Sequence, residues 1–167
     1  MTLSEALEKV LRSFRRYYNI NLENPAAPFA AEARFETHDE QYFLIRAARI
    51  SESNSTESVF FALEDHLDAD TFERLDETAW RVGMSRVNPA AGHRSSDVIL
   101  VILTNQMDDE AAQRIRSRRH YQSYRFGLRG WSNYRLVALE IPTGRAAHNR
   151  LGSDLKNLLG NIDATDL

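Results

Sequence analysis

Val98-Ile99-Leu100-Val101-Ile102-Leu103 is the longest aliphatic run in the chain. It has the length of a strand, and its apolar side chains fall at both parities, so both faces are covered. A strand buried on both faces needs a layer above and a layer below, which places helices on a sheet. The run is far shorter than the roughly 20 residues a membrane-crossing helix requires.

Reading backwards from it, the loop Ser85 to Ser96 is rich in turn residues, and a helix pattern precedes it from Asp70 to Val82. Phe72, Leu75, Ala79 and Val82 share the inward stripe, and Gly83 reads as the stop. A strand, a helix and the buried run in succession imply a helical crossover and parallel pairing. Upstream of the helix, three strands are expected. Phe29 to Thr37 alternates apolar with polar, Tyr42 to Ile50 is apolar on both faces, and Val59 to Leu63 returns. The turns His38-Asp39-Glu40 and Ser51 to Ser55 are short, which predicts an antiparallel meander. The chain begins with an amphipathic helix over Thr2 to Tyr18, carrying Leu3, Leu7, Val10, Leu11, Phe14 and Tyr18 on one stripe. Thr2 and Glu5 fit a capping box at its start.

Downstream, Asp108, Asp109 and Glu110 open a third helix that ends in Arg116, Arg118 and Arg119, the polarity a helix dipole favours. A hairpin of Tyr121–Phe126 with Tyr134–Ile141 follows, then a short helix with Leu151, Leu155, Leu158 and Leu159, weakened by Gly152. The predicted order is α-βββ-α-β-α-ββ-α, a mixed α/β fold with one mixed sheet and helices packed on it. Residues 1–160 form one domain and 161–167 a frayed tail.

Composition narrows the function. The hydrophobic share of 43% and the charged share of 27% are those of an ordinary globular domain. Without cysteine, thiol catalysis and cysteine-based zinc sites are excluded. The first residues lack the basic-then-apolar pattern of a secretion signal, so a cytoplasmic protein is expected, with no membrane partner. Net charge is −3, but its distribution is uneven. Glu32 to Glu77 holds thirteen acids against four arginines, and Ala111 to Arg150 holds nine arginines against Glu140 alone. The two halves either neutralise each other within one subunit or pair between subunits.

Candidate sites are few. His38, Asp39 and Glu40 at a strand turn have the groups for metal ligation or acid–base chemistry, though Asp also favours turns for its own backbone bonding. His93, Arg94, Ser95, Ser96 and Asp97 precede the buried strand and offer the parts of an anion or acyl site. They lie at its amino end, however, whereas open α/β sheets bind ligands at carboxyl ends. No metal site with recognisable ligand spacing occurs, and no cofactor is implied: glycine-rich phosphate loops, G-x-S-x-G and H-E-x-x-H are all missing. The basic segment interleaves Arg114, Arg116, Arg118, Arg119, Arg125, Arg129 and Arg135 with Tyr121, Tyr124, Phe126, Trp131 and Tyr134. That combination suits single-stranded nucleic acid, which is contacted through its backbone and stacked bases. It equally suits an acidic protein surface, and the tyrosines alternate as an ordinary hairpin requires. Arg94, Arg116, Arg118, Arg119, Arg125, Arg129, Trp131 and Asn133 are the expected binding residues.

Two resemblances follow. The leading order α-βββ-α-β resembles the core of restriction-endonuclease-like nucleases, with Glu5 or Glu8 and Asp39 at two of the carboxylate positions. Glu57-Ser58-Val59 departs from the third motif, and no lysine lies between Lys9 and Lys156. Glu40-Gln41-Tyr42-Phe43-Leu44, His93-Arg94-Ser95-Ser96-Asp97-Val98 and Gly130-Trp131-Ser132-Asn133-Tyr134 resemble segments of small bacterial proteins forming a domain-of-unknown-function family. That resemblance covers most of the chain and implies no activity. These features favour a non-enzymatic binding or accessory domain, self-associating, whose arginine-rich surface takes an anionic or protein partner. The rival is a metal-dependent hydrolase using Asp39, Glu40, His93 and Asp97, and a third reading is single-strand nucleic-acid binding.

Overall fold

The computed structural model describes residues 1–36, 55–87, 95–124 and 130–160. Its elements are α1 (Leu3–Phe14), β1 (Asn19–Asn21), β2 (Ala31–Glu36), β3 (Ser55–Leu67), α2 (Ala69–Ser85), β4 (Ser95–Met107), α3 (Asp109–Ser117), β5 (Tyr121–Ser123), β6 (Trp131–Glu140), β7 (Arg145–His148) and α4 (Ser153–Gly160). The aliphatic run lies at the centre of β4. Strand order is β1-β2-β3-β4-β6-β5, and β7 also pairs with β6. The inner strands β3, β4 and β6 are parallel, and the outer pairings are antiparallel.

Residue parity sorts the core into two layers. Even positions of the inner strands (Phe60, Leu100, Ile102, Leu136) meet Phe72, Leu75 and Ala79 of α2 and Ala111 and Ile115 of α3. Odd positions (Phe61, Ile99, Val101, Val137) meet Leu7, Val10, Leu11 and Phe14 of α1 and Leu155 and Leu159 of α4. The mixed α/β sheet covered by helices is therefore as expected, and so are the parallel pairing of β3 with β4 and the β5–β6 hairpin. Thr2 and Glu5 form the capping box. Among the described residues no helix is long and apolar enough to cross a membrane.

Several boundaries differ from the sequence reading, each for a physical reason. The first helix stops at Phe14 rather than Tyr18, because the amides of Tyr17 and Tyr18 both turn back to the Phe14 carbonyl and release the chain into β1. β2 pairs directly with β3, and β3 directly with β4. The strand expected at Tyr42–Ile50 lies outside the described residues, as do the turn at His38–Glu40, the end of the hairpin at Phe126 and the tail 161–167. Gly83 is no stop, since α2 runs on to Ser85. A β-carbon at Gly83 would sit 2.5 Å from Val98 Cγ2, so the glycine is what lets α2 approach β4.

The edge of β6 is shared by β5 at its start and β7 at its end. Between them the ladder is completed by one side chain, that of the buried Asn149. Its Oδ1 accepts from the amides of Leu136 at 3.0 Å and Gly152 at 2.9 Å. Its Nδ2 donates to the carbonyls of Tyr134 at 2.9 Å and Arg118 at 3.2 Å. Its backbone amide donates to the Leu136 carbonyl at 3.1 Å. Buried polar groups left without partners cost about 1–3 kcal/mol each. Asn149→Ala is therefore expected to lower the urea-unfolding free energy by about 3 kcal/mol, and a loss below about 1 kcal/mol would show that the side chain is not a structural plug. Gly83→Ala is expected to lose about 1–3 kcal/mol in the same measurement through overpacking against Val98.

Candidate functional site

Among the polar clusters of the described residues, two combine several charged side chains, one on each face of the sheet. The first lies where α2, the α3–β5 connection and β6 meet. Asp76 falls on the inward stripe of α2 and is only 2% exposed. A buried carboxylate needs paired cations or donors. Arg118 NH1 supplies one at 2.7 Å and His120 Nε2 a second at 2.8 Å, both on Asp76 Oδ2. Arg118 also grips Glu73 with both guanidinium nitrogens, and this holds the Glu73 carboxyl below its ordinary range. Arg114 adds a further contact to Glu73 at 3.2 Å and bonds Glu110 at 2.8 Å. The His120 ring stacks on Trp80 at 5.0 Å between centroids, and the Arg118 guanidinium lies 5.0 Å over Phe72. Tyr134 packs its ring against both Trp80 and His120. Burial, then the Asp76 charge beside it, pushes the Tyr134 hydroxyl well above the usual phenol range. That hydroxyl and Asp76 Oδ1 are near one another without being aligned in a hydrogen bond.

The backbone after α3 leaves helical geometry at Arg118, whose ψ is 132°. From there side chains alternate. Arg118 and His120 turn inward to Asp76, whereas Arg119 and Tyr121 are exposed, Tyr121 by 63%. Arg116 is exposed one turn earlier on α3. The Asn149–Arg118 hydrogen bond draws the turn at Arg150–Gly152 to the same corner, bringing Arg150 and Leu151, 46% exposed.

The second cluster occupies the opposite face at the amino ends of the parallel strands. Glu57, Asp97 and Asn133 share one register row across β3, β4 and β6. Arg135 NH2 reaches Asp97 Oδ2 at 3.1 Å, the Asn133 side chain hydrogen-bonds Asp97, and the Tyr18 hydroxyl donates to Glu57. Among the described residues, the guanidinium ion-paired to this row of two largely buried carboxylates is that of Arg135. Burial pushes the Asp97 carboxyl up to about 6; Arg135 pulls it back, and the Glu57 charge adds to the rise. On the other face of the same strands, Thr56 Oγ1 donates to Ser96 Oγ at 3.1 Å and Ser132 Oγ meets the Tyr124 hydroxyl at 2.9 Å.

Of the residues singled out from sequence, His38, Asp39, Glu40, His93, Arg94, Arg125 and Arg129 lie outside the described residues. Asp97 and Asn133 come together at the amino end of the sheet, with Trp131 two residues earlier on β6 and half-buried. Arg118 is the hub of an ion-pair network, while Arg116 and Arg119 are exposed. Among the described residues no three His, Asp or Glu side chains are grouped so as to hold a metal ion. Asp76, Glu57 and His120 were not among the expected site residues, Glu57 having entered only through the nuclease motif it departs from. A signal existed for the first two, because Asp76 continues the Phe72–Leu75–Ala79 stripe and Glu57 continues the Val59–Phe61 parity. A carboxylate on an apolar stripe marks a buried charge.

The architecture and its charged clusters define a mixed α/β domain with seven strands in one sheet and four helices against it among the described residues. The chain belongs to the family described as Domain of unknown function (DUF8052), whose model matches residues 2–161. No curated protein and no solved structure matches it.

Asp97 gives a signed pH dependence. Its folded-state pKa lies above the ordinary carboxylate value of 3.8. The folded state therefore keeps a proton that the unfolded chain has released, and stability falls as pH rises from about 4 to about 6. A shift of about two units corresponds to about 3 kcal/mol. The wild-type protein is expected to gain stability relative to Asp97→Asn as pH falls from 7 to 5, read as the difference between their melting temperatures. A difference that is flat with pH would mean that Asp97 titrates as a solvated carboxyl.

Proposed function

We propose that this protein is a binding domain whose contact surface is the arginine-rich corner at the end of α3, and that its partner is an acidic protein segment. The supporting observation is how the arginines are sorted. Four of those in the basic half are neutralised inside the subunit, Arg114 and Arg118 on Glu73, Arg135 on Asp97 and Arg145 on Asp109 at 2.7 Å. Arg118 and Arg135 are thereby consumed by the fold. Arg116, Arg119 and Arg150 point outward and make no ion pair among the described residues.

Arg119 precedes Tyr121 by two residues, and Arg150 adjoins Leu151 in the turn that Asn149 ties to the Arg118 carbonyl. Tyr121 and Leu151 are two of the five large hydrophobic side chains that are exposed among the described residues. Exposed aromatic and aliphatic anchors in the company of arginine suit a protein interface. Nucleic acid would use stacked aromatics along a basic groove. Here Tyr134 is buried and Tyr124 is bonded to Ser132, which removes two stacking platforms from the hairpin.

A fluorescein-labelled deca-glutamate peptide titrated with the full chain at low salt tests this by anisotropy. Binding is expected, weakened at least tenfold by Arg116→Ala with Arg119→Ala. An unlabelled single-stranded oligonucleotide of equal charge is expected to compete poorly. Stronger binding of the oligonucleotide than of the peptide, or binding indifferent to the double substitution, would overturn the reading.

A further inference from the structure

The acids left over after internal pairing lie elsewhere in the molecule. Glu64, Asp65, Asp68 and Asp70 gather where β3 ends and α2 begins, beside the start of α3. Asp65 accepts from Asn105 Nδ2 at 2.8 Å, and Asp68 caps α2 through the Thr71 amide at 2.7 Å. Neither contact removes charge. Glu64 is held above its ordinary range chiefly by burial, with Arg74 pulling it down and the Asp68 charge pushing it up. Among the described residues, the ion-pairing partner of Asp108 is the His66 ring at 2.6 Å, which carries charge only when protonated.

The basic corner lies at the opposite end of α3. Nine helical residues separate the two, about 13 Å of axial rise. Asp109 and Glu110 mark the acidic end of that helix, and Arg116 and Arg119 mark the other. One rigid helix holds the two surfaces apart, so they cannot neutralise each other within a subunit.

We infer that the acidic partner of the Arg116–Arg119–Arg150 corner is a second copy of this chain, docking the end that carries Glu64, Asp65, Asp68 and Asp70. This rests on the binding reading above and names its partner. The two surfaces are different patches of one molecule, so the contact is head-to-tail. Such a contact repeats into a ring or an open filament rather than closing as a two-fold dimer. Tyr121 and Leu151 supply the apolar centre and the charges supply the register, which makes the assembly sensitive to salt.

Sedimentation velocity of the full chain in 25 mM and 500 mM NaCl is the test. Species larger than a monomer are expected at low salt, with the association constant falling at least tenfold at high salt. Arg116→Glu with Arg119→Glu, and separately Asp65→Lys with Asp70→Lys, are each expected to sediment as monomers while keeping the wild-type circular dichroism. Mixed together, the two variants are expected to associate again, because each presents the surface the other needs. A wild-type monomer at low salt, or association that survives either variant, overturns the head-to-tail contact. A monomer that still binds the glutamate peptide through Arg116 and Arg119 leaves the binding reading standing and sends it to a different partner. A monomer that ignores the peptide as well removes both.

Discussion

The carboxylate of Asp76, buried inside the face of a helix, is the constraint from which the rest of this surface follows. A lone charge in a low-dielectric interior costs several kcal/mol, and the cost is met here by bringing Arg118 and His120 into contact with a single oxygen. Both side chains come from the stretch that leaves α3, so that stretch is fixed against α2. Once Arg118 and His120 face inward, the alternation of an extended backbone sends Arg119 and Tyr121 outward. The exposed corner is thus a by-product of how an internal charge is balanced. The His120–Trp80 stack and the buried Tyr134 ring close the remaining space around the ion pairs.

The two sheet ends have different chemistry. At the carboxyl ends, Glu140 accepts from the Met107 amide at 2.7 Å and from Thr143 at 2.5 Å, and the hydrogen bonds hold its carboxyl below the ordinary range. Arg145 reinforces that junction by donating to the Met107 carbonyl at 3.1 Å. These bonds tie strand to turn and are satisfied. At the amino ends, in the row Glu57–Asp97–Asn133, burial raises the Asp97 carboxyl against the pull of Arg135, and the Glu57 charge adds to the rise.

Much of the fold was legible because its signals are local. The aliphatic run identified the central strand, periodicity gave α2, the acid-to-base polarity gave α3, and Thr2 with Glu5 gave the first cap. Elements that depend on distant partners were not legible: β7 is only four residues long, and it exists because the end of β6 offers an unpaired edge. Gly83 read as a stop because glycine ends helices, and only the approach of Val98 explains it as a packing residue. For the site, the excess of arginine was visible but its sorting was not. Nothing in the sequence separates Arg118 from Arg119 until the helix end and the position of Asp76 are both known. Asp97 was found from its place before a buried strand, whereas its partners Glu57 and Arg135 are set by register across strands.

Asn149 also bears on how the molecule avoids its own kind of misfolding. A long uncovered β6 edge would present a continuous row of amides and carbonyls, a template for uncontrolled strand addition. The chain instead divides that edge into two short strands and stops the gap with a side-chain amide that imitates a peptide group. The residue left of the edge is β5, three residues long, and β7, four. Both are short, so the described edge offers little continuous backbone for strand addition, and Asn149 occupies the gap between them.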